Sequence, residues 1–341
     1  MAQTQLLPFR PNTRQKRLKV GSQAFALGGS VNMTLPEIGY LSRVFLFFDG
    51  SVTYSAASTP ADLAPYSLFK RVLLTLNNSA TDIFNTSGFG LFLVNSVNTK
   101  VGRLDVNSDA DFYAYPVSGS AQRFTLGAEI PVSLSQGFNF EAGLINLQSP
   151  EVQCQLNIDF ANALTDIGNN ITALTGTIHV YYEYYEVPNP TQVMQPPVVL
   201  HRIIEQTQPV SNTGDNIYTL PRGGNLMRLL HVLRLNGARS DSYDESSIRF
   251  NQSETIYKEE RRLQKILQRE RYGLNLPTGV IAKDFSYALQ HPEESDMRDS
   301  INTEMITTTD SIVTVSSGAT LGSNNNYLTS IREILQSATP N

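Results

Sequence analysis

The residues whose types could do chemistry are few and lie far apart. The four histidines are His179, His201, His231 and His291, and no two fall within four residues of each other. H-x-H and H-E-x-x-H are both missing, so the clustered imidazoles and carboxylate of a metal-dependent two-roll enzyme are not written in the chain. Each histidine is read as a strand or loop residue. The single cysteine, Cys154, sits on the apolar side of an alternating run and is read as a small core residue; alone, it forms no internal disulfide. There is no G-x-S-x-G elbow and no G-x-x-x-x-G-K-[ST] phosphate loop, and Gly88-Phe89-Gly90 stops short of G-x-G-x-x-G. Asp109 with Asp111, and Glu293 with Glu294, are read as solvated loop charges. The expectation is a protein that is not an enzyme and holds no cofactor and no metal.

Charge is the next chemical signal. The chain of 341 residues carries a net −5, yet residues 1–20 hold Arg10, Arg14, Lys16, Arg17 and Lys19 and no acid. Pro8 and Pro11 interrupt any periodicity there, so residues 1–18 read as an extended basic arm on an acidic body. Such cations can touch lipid headgroups, nucleic acid or a neighbouring subunit, or stay solvated. A dedicated nucleic-acid binder would be basic throughout, and no specific nucleic acid is expected. Charged residues make up 17% of the chain, below the usual ~25% and in keeping with surface that meets other protein. No run of about 18 apolar residues occurs, and no apolar signal core follows Met1.

One stretch occurs twice. Thr34-Leu35-Pro36-Glu37-Ile38-Gly39-Tyr40-Leu41-Ser42-Arg43 and Thr219-Leu220-Pro221-Arg222-Gly223-Gly224-Asn225-Leu226-Met227-Arg228 both fit T-L-P-x-x-G-x-L-x-R, 185 residues apart. A second echo follows each copy, Asn77-Asn78-Ser79 and Asn251-Gln252-Ser253. A period this long excludes a solenoid and implies two whole domains of one design. The boundary is expected at the proline-rich stretch, giving an arm at 1–18, a first domain at 19–188, a linker at 189–197 and a second domain at 198–341.

The elements read as mostly strand. Val152–Phe160 alternates over nine residues, with Val152, Cys154, Leu156, Ile158 and Phe160 facing a core. Val44–Phe48 reads as a strand buried on both faces and ending at an Asp49-Gly50 turn. Val72–Leu76, Thr177–Glu186, Ile217–Leu220, Phe285–Leu289, Met305–Val315 and Tyr327–Leu335 read as further strands. The tyrosines of Thr177–Glu186 point both ways, which suits a sheet packed on a neighbour. Phe89–Asn98 fits helix or strand, with a short helix favoured, and residues 102–120 read as a loop. Tyr257–Tyr272 reads as a helix, with Leu263, Ile266 and Leu267 on one face and Gly273 as its stop.

With its duplicated T-L-P-x-x-G-x-L-x-R stretch, its Ile130–Leu134 and Gly143–Leu147 passages leading into Val152–Phe160, and its proline linker, the chain resembles the double jelly-roll major capsid proteins of tailless icosahedral viruses with an internal membrane, such as tectiviruses and corticoviruses. The second half offers no close sequence counterpart to the Ile130–Phe160 passage. The resemblance implies an all-β fold of two tandem eight-stranded antiparallel jelly rolls with a few short helices. It implies a homotrimeric, pseudo-hexagonal capsomer tiling an icosahedral shell. It also implies minor capsid and vertex proteins as partners, a membrane or neighbouring capsomer against Arg10, Arg14, Lys16, Arg17 and Lys19, and a place in the virion after synthesis in the host cytoplasm. Two other classes fit two β domains: a carbohydrate-binding or hydrolytic tandem β-sandwich, which the lack of any tryptophan counts against, and a minor capsid or spike protein.

Overall fold

The computed structural model describes residues 6–56, 60–77, 80–98, 121–134, 141–273, 275–285, 300–322 and 325–337. The chain divides into two compact units, the first running to His201 and the second spanning Arg202–Ser337. The first contains β1 (Gln15–Ala24), β2 (Ser30–Thr34), β3 (Tyr40–Tyr54), β4 (Phe69–Leu76), β5 (Thr81–Thr86), helix α1 (Gly88–Asn98), β6 (Gln122–Pro131), β7 (Ile145–Asn146), β8 (Cys154–Phe160) and β9 (Ile171–Tyr185). The chain continues through β10 (Val199–Pro209), β11 (Gly214–Leu220), β12 (Asn225–Leu235), β13 (Ala238–Arg239), β14 (Tyr243–Phe250), β15 (Glu254–Glu260), helix α2 (Arg261–Tyr272), β16 (Val280–Asp284), β17 (Ile301–Asn302), β18 (Thr309–Val315) and β19 (Tyr327–Ser337).

The two units repeat one connectivity. In the first, antiparallel neighbours run β1-β9-β3-β6 in one sheet and β2-β8-β4-β5 in the other. In the second, β10-β19-β12-β16 and β11-β18-β14-β15 follow the same order. Each is an eight-stranded antiparallel jelly roll, and a helix joins its fifth and sixth strands. In the first roll the sheets meet through aromatics: Phe25 packs edge-on to Phe48 of β3 and Phe160 of β8. The Cys154–Phe160 strand keeps its period of two, every second residue buried.

The repeated stretch now has a physical reading. Gly39 and Gly224 stand immediately before β3 and β12 with φ of +73° and +74°. A Cβ on Gly39 would lie 2.5 Å from the Tyr185 carbonyl oxygen, and one on Gly224 would lie 2.3 Å from that of Leu335. Only glycine fits a left-handed turn pressed under a carbonyl. A bulge follows in each copy, between Leu41 and Arg43 and between Leu226 and Arg228. The arginine after it pairs across the ladder. Arg43 Nε lies 3.0 Å from Glu183 of β9, and Arg228 Nη2 lies 3.4 Å from Glu333 of β19. A second acid flanks each arginine from the other side: Glu129 of β6 at 3.1 Å and Asp284 of β16 at 3.6 Å. The environments differ, since the Arg43 side chain is 27% exposed and that of Arg228 is 1%. Burial works against the Arg228 charge, and Glu333 and Asp284 more than offset it.

The Ile130–Phe160 passage from β6 to β8, which has no close sequence counterpart in the second half, has a structural one. Ile145–Asn146 pairs with Leu41 and Tyr40, and Ile301–Asn302 pairs with Leu226 and Asn225. The Leu147 N–H donates to Gly39 O at 2.9 Å, and the Thr303 N–H donates to Gly224 O at 3.1 Å. The asparagine echo is also structural. Asn77 and Asn251 both have positive φ, as asparagine tolerates. Each side-chain oxygen accepts a backbone N–H just before β8 or β18 begins, from Gln153 at 3.1 Å and Thr307 at 2.9 Å.

Several expectations are corrected. Asp49-Gly50 is not a turn: β3 runs on to Tyr54, and Gly50 is there because a Cβ would strike Thr175 O at 2.2 Å. Val44–Phe48 is buried on one face only; Phe45 and Phe47 look outward. Tyr257–Glu260 belongs to β15, held by the hairpin with β14, so the helix starts at Arg261. Its buried face is Gln264, Gln268 and Tyr272, not Leu263 and Ile266. The 102–120 loop and most of Phe285–Leu289 lie outside the described residues.

The second roll carries a polar bridge between its sheets. His231 of β12 is fully buried, with Nδ1 2.8 Å from Ser330 Oγ of β19 and Nε2 2.7 Å from Ser311 Oγ of β18. Burial, helped by the Lys283 charge, lowers its pKa to about 3.

Gly39→Ala and Gly224→Ala are each expected to lower the unfolding free energy in urea by at least about 1–3 kcal/mol, the cost of a strained backbone before the carbonyl clash is added. Glu333→Gln should cost about 3–5 kcal/mol, because it removes one of the two carboxylates that offset a fully buried guanidinium. Glu183→Gln should cost about 1–3 kcal/mol; equal losses would show that burial of the arginine does not set the penalty. For His231 the folded pKa lies below the unfolded value near 6.5. Its contribution is therefore complete above pH ~6.5 and falls away as pH drops toward 3, by on the order of a few kcal/mol. In denaturant titrations across that window, His231→Gln should flatten the slope relative to the parent; parallel slopes would refute the assignment.

Candidate interaction face on the first sheet

Residues 7–14 do not hang free. Leu7 forms a parallel bridge with Val193, its N–H donating to Gln192 O at 2.8 Å and its carbonyl accepting from Met194 N at 2.9 Å. Phe9 is buried against Tyr40 and Tyr185, with Leu144 and Val193 around it. Thr13 Oγ1 donates to Glu186 O at 2.6 Å. The proline-rich stretch thus packs on the first unit with the amino-terminal residues. Gln15–Leu18, expected at the end of the arm, lie in β1, where they pair with Tyr185–Tyr182.

The five basic residues separate accordingly. Arg10 sits in a short 3-10 turn, and its charge opposes the burial that raises the Glu141 carboxyl. Arg14 presents its carbonyl to the Glu186 N–H at 3.0 Å. Lys16 is ion-paired with Glu186; that contact raises the lysine pKa and lowers the carboxyl's. Arg17 donates through Nε to Glu183 at 3.1 Å and lies 4.7 Å above the Phe45 ring. Lys19 Nζ lies 6.0 Å from the Tyr181 ring centre. Lys16, Arg17 and Lys19 therefore work first within the chain.

Arg17 and Lys19 share an outward sheet face that sequence reading did not assemble. Strand alternation puts Arg17, Glu183, Arg43 and Glu129 in a ladder of alternating charge across β1, β9, β3 and β6. Burial raises the Glu129 carboxyl, with Arg43 opposing. Beside the ladder lie Phe45, Tyr181, His179 and Phe47; Phe47 is 37% exposed and stacks on His179 at 6.1 Å. Gly127, opposite Phe47, has open space where a Cβ would project. Aromatic rings held by cation–π contacts and paired charges can recognise a protein surface. They offer no activated nucleophile. The available signal was the strand period: every second residue of Thr177–Glu183 and of Arg43–Phe47 falls on this face.

The other candidates are dispersed. His201 is buried in β10, His231 bridges the second roll, and His291 lies outside the described residues, as do Asp109, Asp111, Glu293 and Glu294. Among the described residues no group of three or more histidine, cysteine, aspartate or glutamate side chains could hold a metal ion. Cys154 is buried, which pushes its thiol up to about 12, so it is a core residue. No described helix is long and apolar enough to cross a membrane.

No family profile matches the chain, and no curated protein matches its sequence. Solved structures do match in shape. The crystal structure of the major capsid protein of Sulfolobus turreted icosahedral virus superposes with a TM-score of 0.71 at 13% identity, covering 95% of this chain and 97% of that one. The capsid structure of the virus PBCV-1 gives 0.63 at 12% identity, over 98% and 99%. The major capsid protein of bacteriophage PM2 gives 0.58 at 13% identity, over 96% and 99%. The likeness runs the whole length of each chain, and the fold is the double jelly roll that these capsid proteins share.

Proposed function

We propose that this chain is a structural subunit of an icosahedral viral shell and not an enzyme. The observation that carries this reading is the doubling itself: one chain holds two jelly rolls of the same strand order, and its whole length resembles capsid proteins built that way. The doubling has a geometric use. Three copies around a threefold axis place six rolls in a ring, a near-hexagonal block that tiles a flat facet. The outward face of the first sheet, with Phe45, Phe47 and Tyr181 among paired charges, fits a subunit contact, where aromatics and arginine are enriched. Other copies of the chain are the main partners, with minor capsid and vertex proteins completing the shell. We further infer that residues 189–197 connect the rolls and that Arg10 and Arg14, both exposed, face an inner membrane or a neighbouring capsomer.

Light scattering on the purified chain should give a species near three times 37.7 kDa, and electron microscopy of assembled material should show it at high copy number. A stable monomer that binds sugar would sink the reading; low copy number would favour a minor or spike component. Removing residues 1–18 would also remove Phe9 and the first part of β1, so the cleaner variant is Arg10→Glu with Arg14→Glu. It should leave trimers intact and reduce particle yield; full yield would remove that role from the two arginines.

A further inference from the structure

The two helices occupy the same place in their rolls and are built in opposite ways. α1, with sequence GFGLFLVNSVN, carries no charge and buries Phe89, Leu91, Leu93, Val94 and Val97 within its own roll. α2, with sequence RRLQKILQRERY, turns its polar side inward. Gln264 and Gln268 are buried, and Ser246 Oγ donates to Gln264 at 3.1 Å; Tyr272 lies 3.4 Å from Asp284. Three of its cations are used on that side. Arg261 donates to Asp241 O, Lys265 pairs with Asp241 at 3.0 Å, and Arg271 donates to Asp284 O. The apolar residues point away: Leu263 is 49% exposed and Ile266 is 63% exposed. Their spacing of three residues, with exposed Glu270 on the same side and half-buried Leu267 at the edge, makes one outward stripe. Arg262 and Arg269 flank it with no ion pair among the described residues.

A helix normally buries its apolar stripe and wets its polar one. Here Ser246, Asp241 and Asp284 anchor the polar side at Gln264, at Arg261 and Lys265, and at Arg271 and Tyr272, so the roll beneath fixes the inversion. Charge indicates what the stripe meets. α2 has five cations and one acid, a net of +4, which leaves −9 on the remainder of a chain whose total is −5. The rest of another copy is therefore an oppositely charged surface. An anionic membrane fits less well, because Glu270 lies in the middle of the stripe and would face the headgroups.

We propose that the stripe of Leu263 and Ile266, flanked by Arg262 and Arg269, is a contact through which a second copy of this chain docks. This rests on the shell-subunit reading and adds to it which surface does the joining. The experiment uses the full-length chain, with Leu263→Glu/Ile266→Glu as one variant and Arg262→Glu/Arg269→Glu as another. Both alter exposed side chains, so the unfolding midpoint should stay that of the parent. Self-association by sedimentation velocity should weaken by about a hundredfold in the first variant, the loss of two interface anchors. In the second, the salt dependence of association should fall as well.

Parental association in both variants would overturn the docking surface while leaving the shell reading intact. A parent that stays monomeric at high concentration would overturn both. A large fall in the midpoint of the apolar variant would show that the stripe is covered by its own chain, which also overturns the proposal. So would flotation of the parent, but not of the variants, with phosphatidylglycerol vesicles while association is unchanged.

Discussion

A carbonyl oxygen sitting where a side chain would begin is the constraint on which each roll depends. The Tyr185 and Leu335 oxygens press on Gly39 and Gly224, and in both places the central strand of the roll starts at the next residue. That contact sets the register of β3 against β9 and of β12 against β19. The bulge that follows turns an arginine toward an acid on the neighbouring strand, and the short Ile-Asn pair closes on the other side. Backbone geometry comes first, and the ion pair reads it out.

On this shared frame the two rolls have gone separate ways. The first fills its interior with aromatic and aliphatic side chains and leaves its arginine cluster half open on the sheet face. The second buries the equivalent cluster and threads polar groups through its core: His231 between two serines, and Lys283 Nζ 2.6 Å from Tyr257 O and 3.2 Å from Glu259. His231 and Lys283 both find hydrogen-bond partners there, which low-dielectric surroundings demand.

The parts of this design that were legible in the sequence were those tied to a residue type or to a period. Gly39 and Gly224 could be recognised because no other residue fits; Val152–Phe160 alternates because one face of β8 is buried. The Ile301–Asn302 bridge was not legible, since two residues leave no period and the matching interactions run through backbone atoms. Gly50 was misread as a turn because glycine also marks a close approach inside a strand, here to Gly176. The start of α2 was misread because Tyr257–Glu260 has strong helix formers that the β14 hairpin overrides. The outward sheet face could not be assembled from sequence, because Arg17, Glu183, Arg43 and Glu129 come from four strands. The same reasoning fits a shared shape at about 13% identity: in this chain the repeated frame rests mostly on carbonyl positions and a few left-handed residues.

The pairing of β1 with β9 also sets an order of events during translation. Gln15 reaches its partner Glu183 across 168 residues of chain, and Leu7 waits still longer for Gln192 and Met194. At ~5–20 residues per second, the amino-terminal strand emerges from the ribosome roughly ten seconds or more before the strand that will hold it exists. Its run of lysine and arginine keeps that unpaired edge soluble meanwhile, since like charges resist strand-to-strand aggregation.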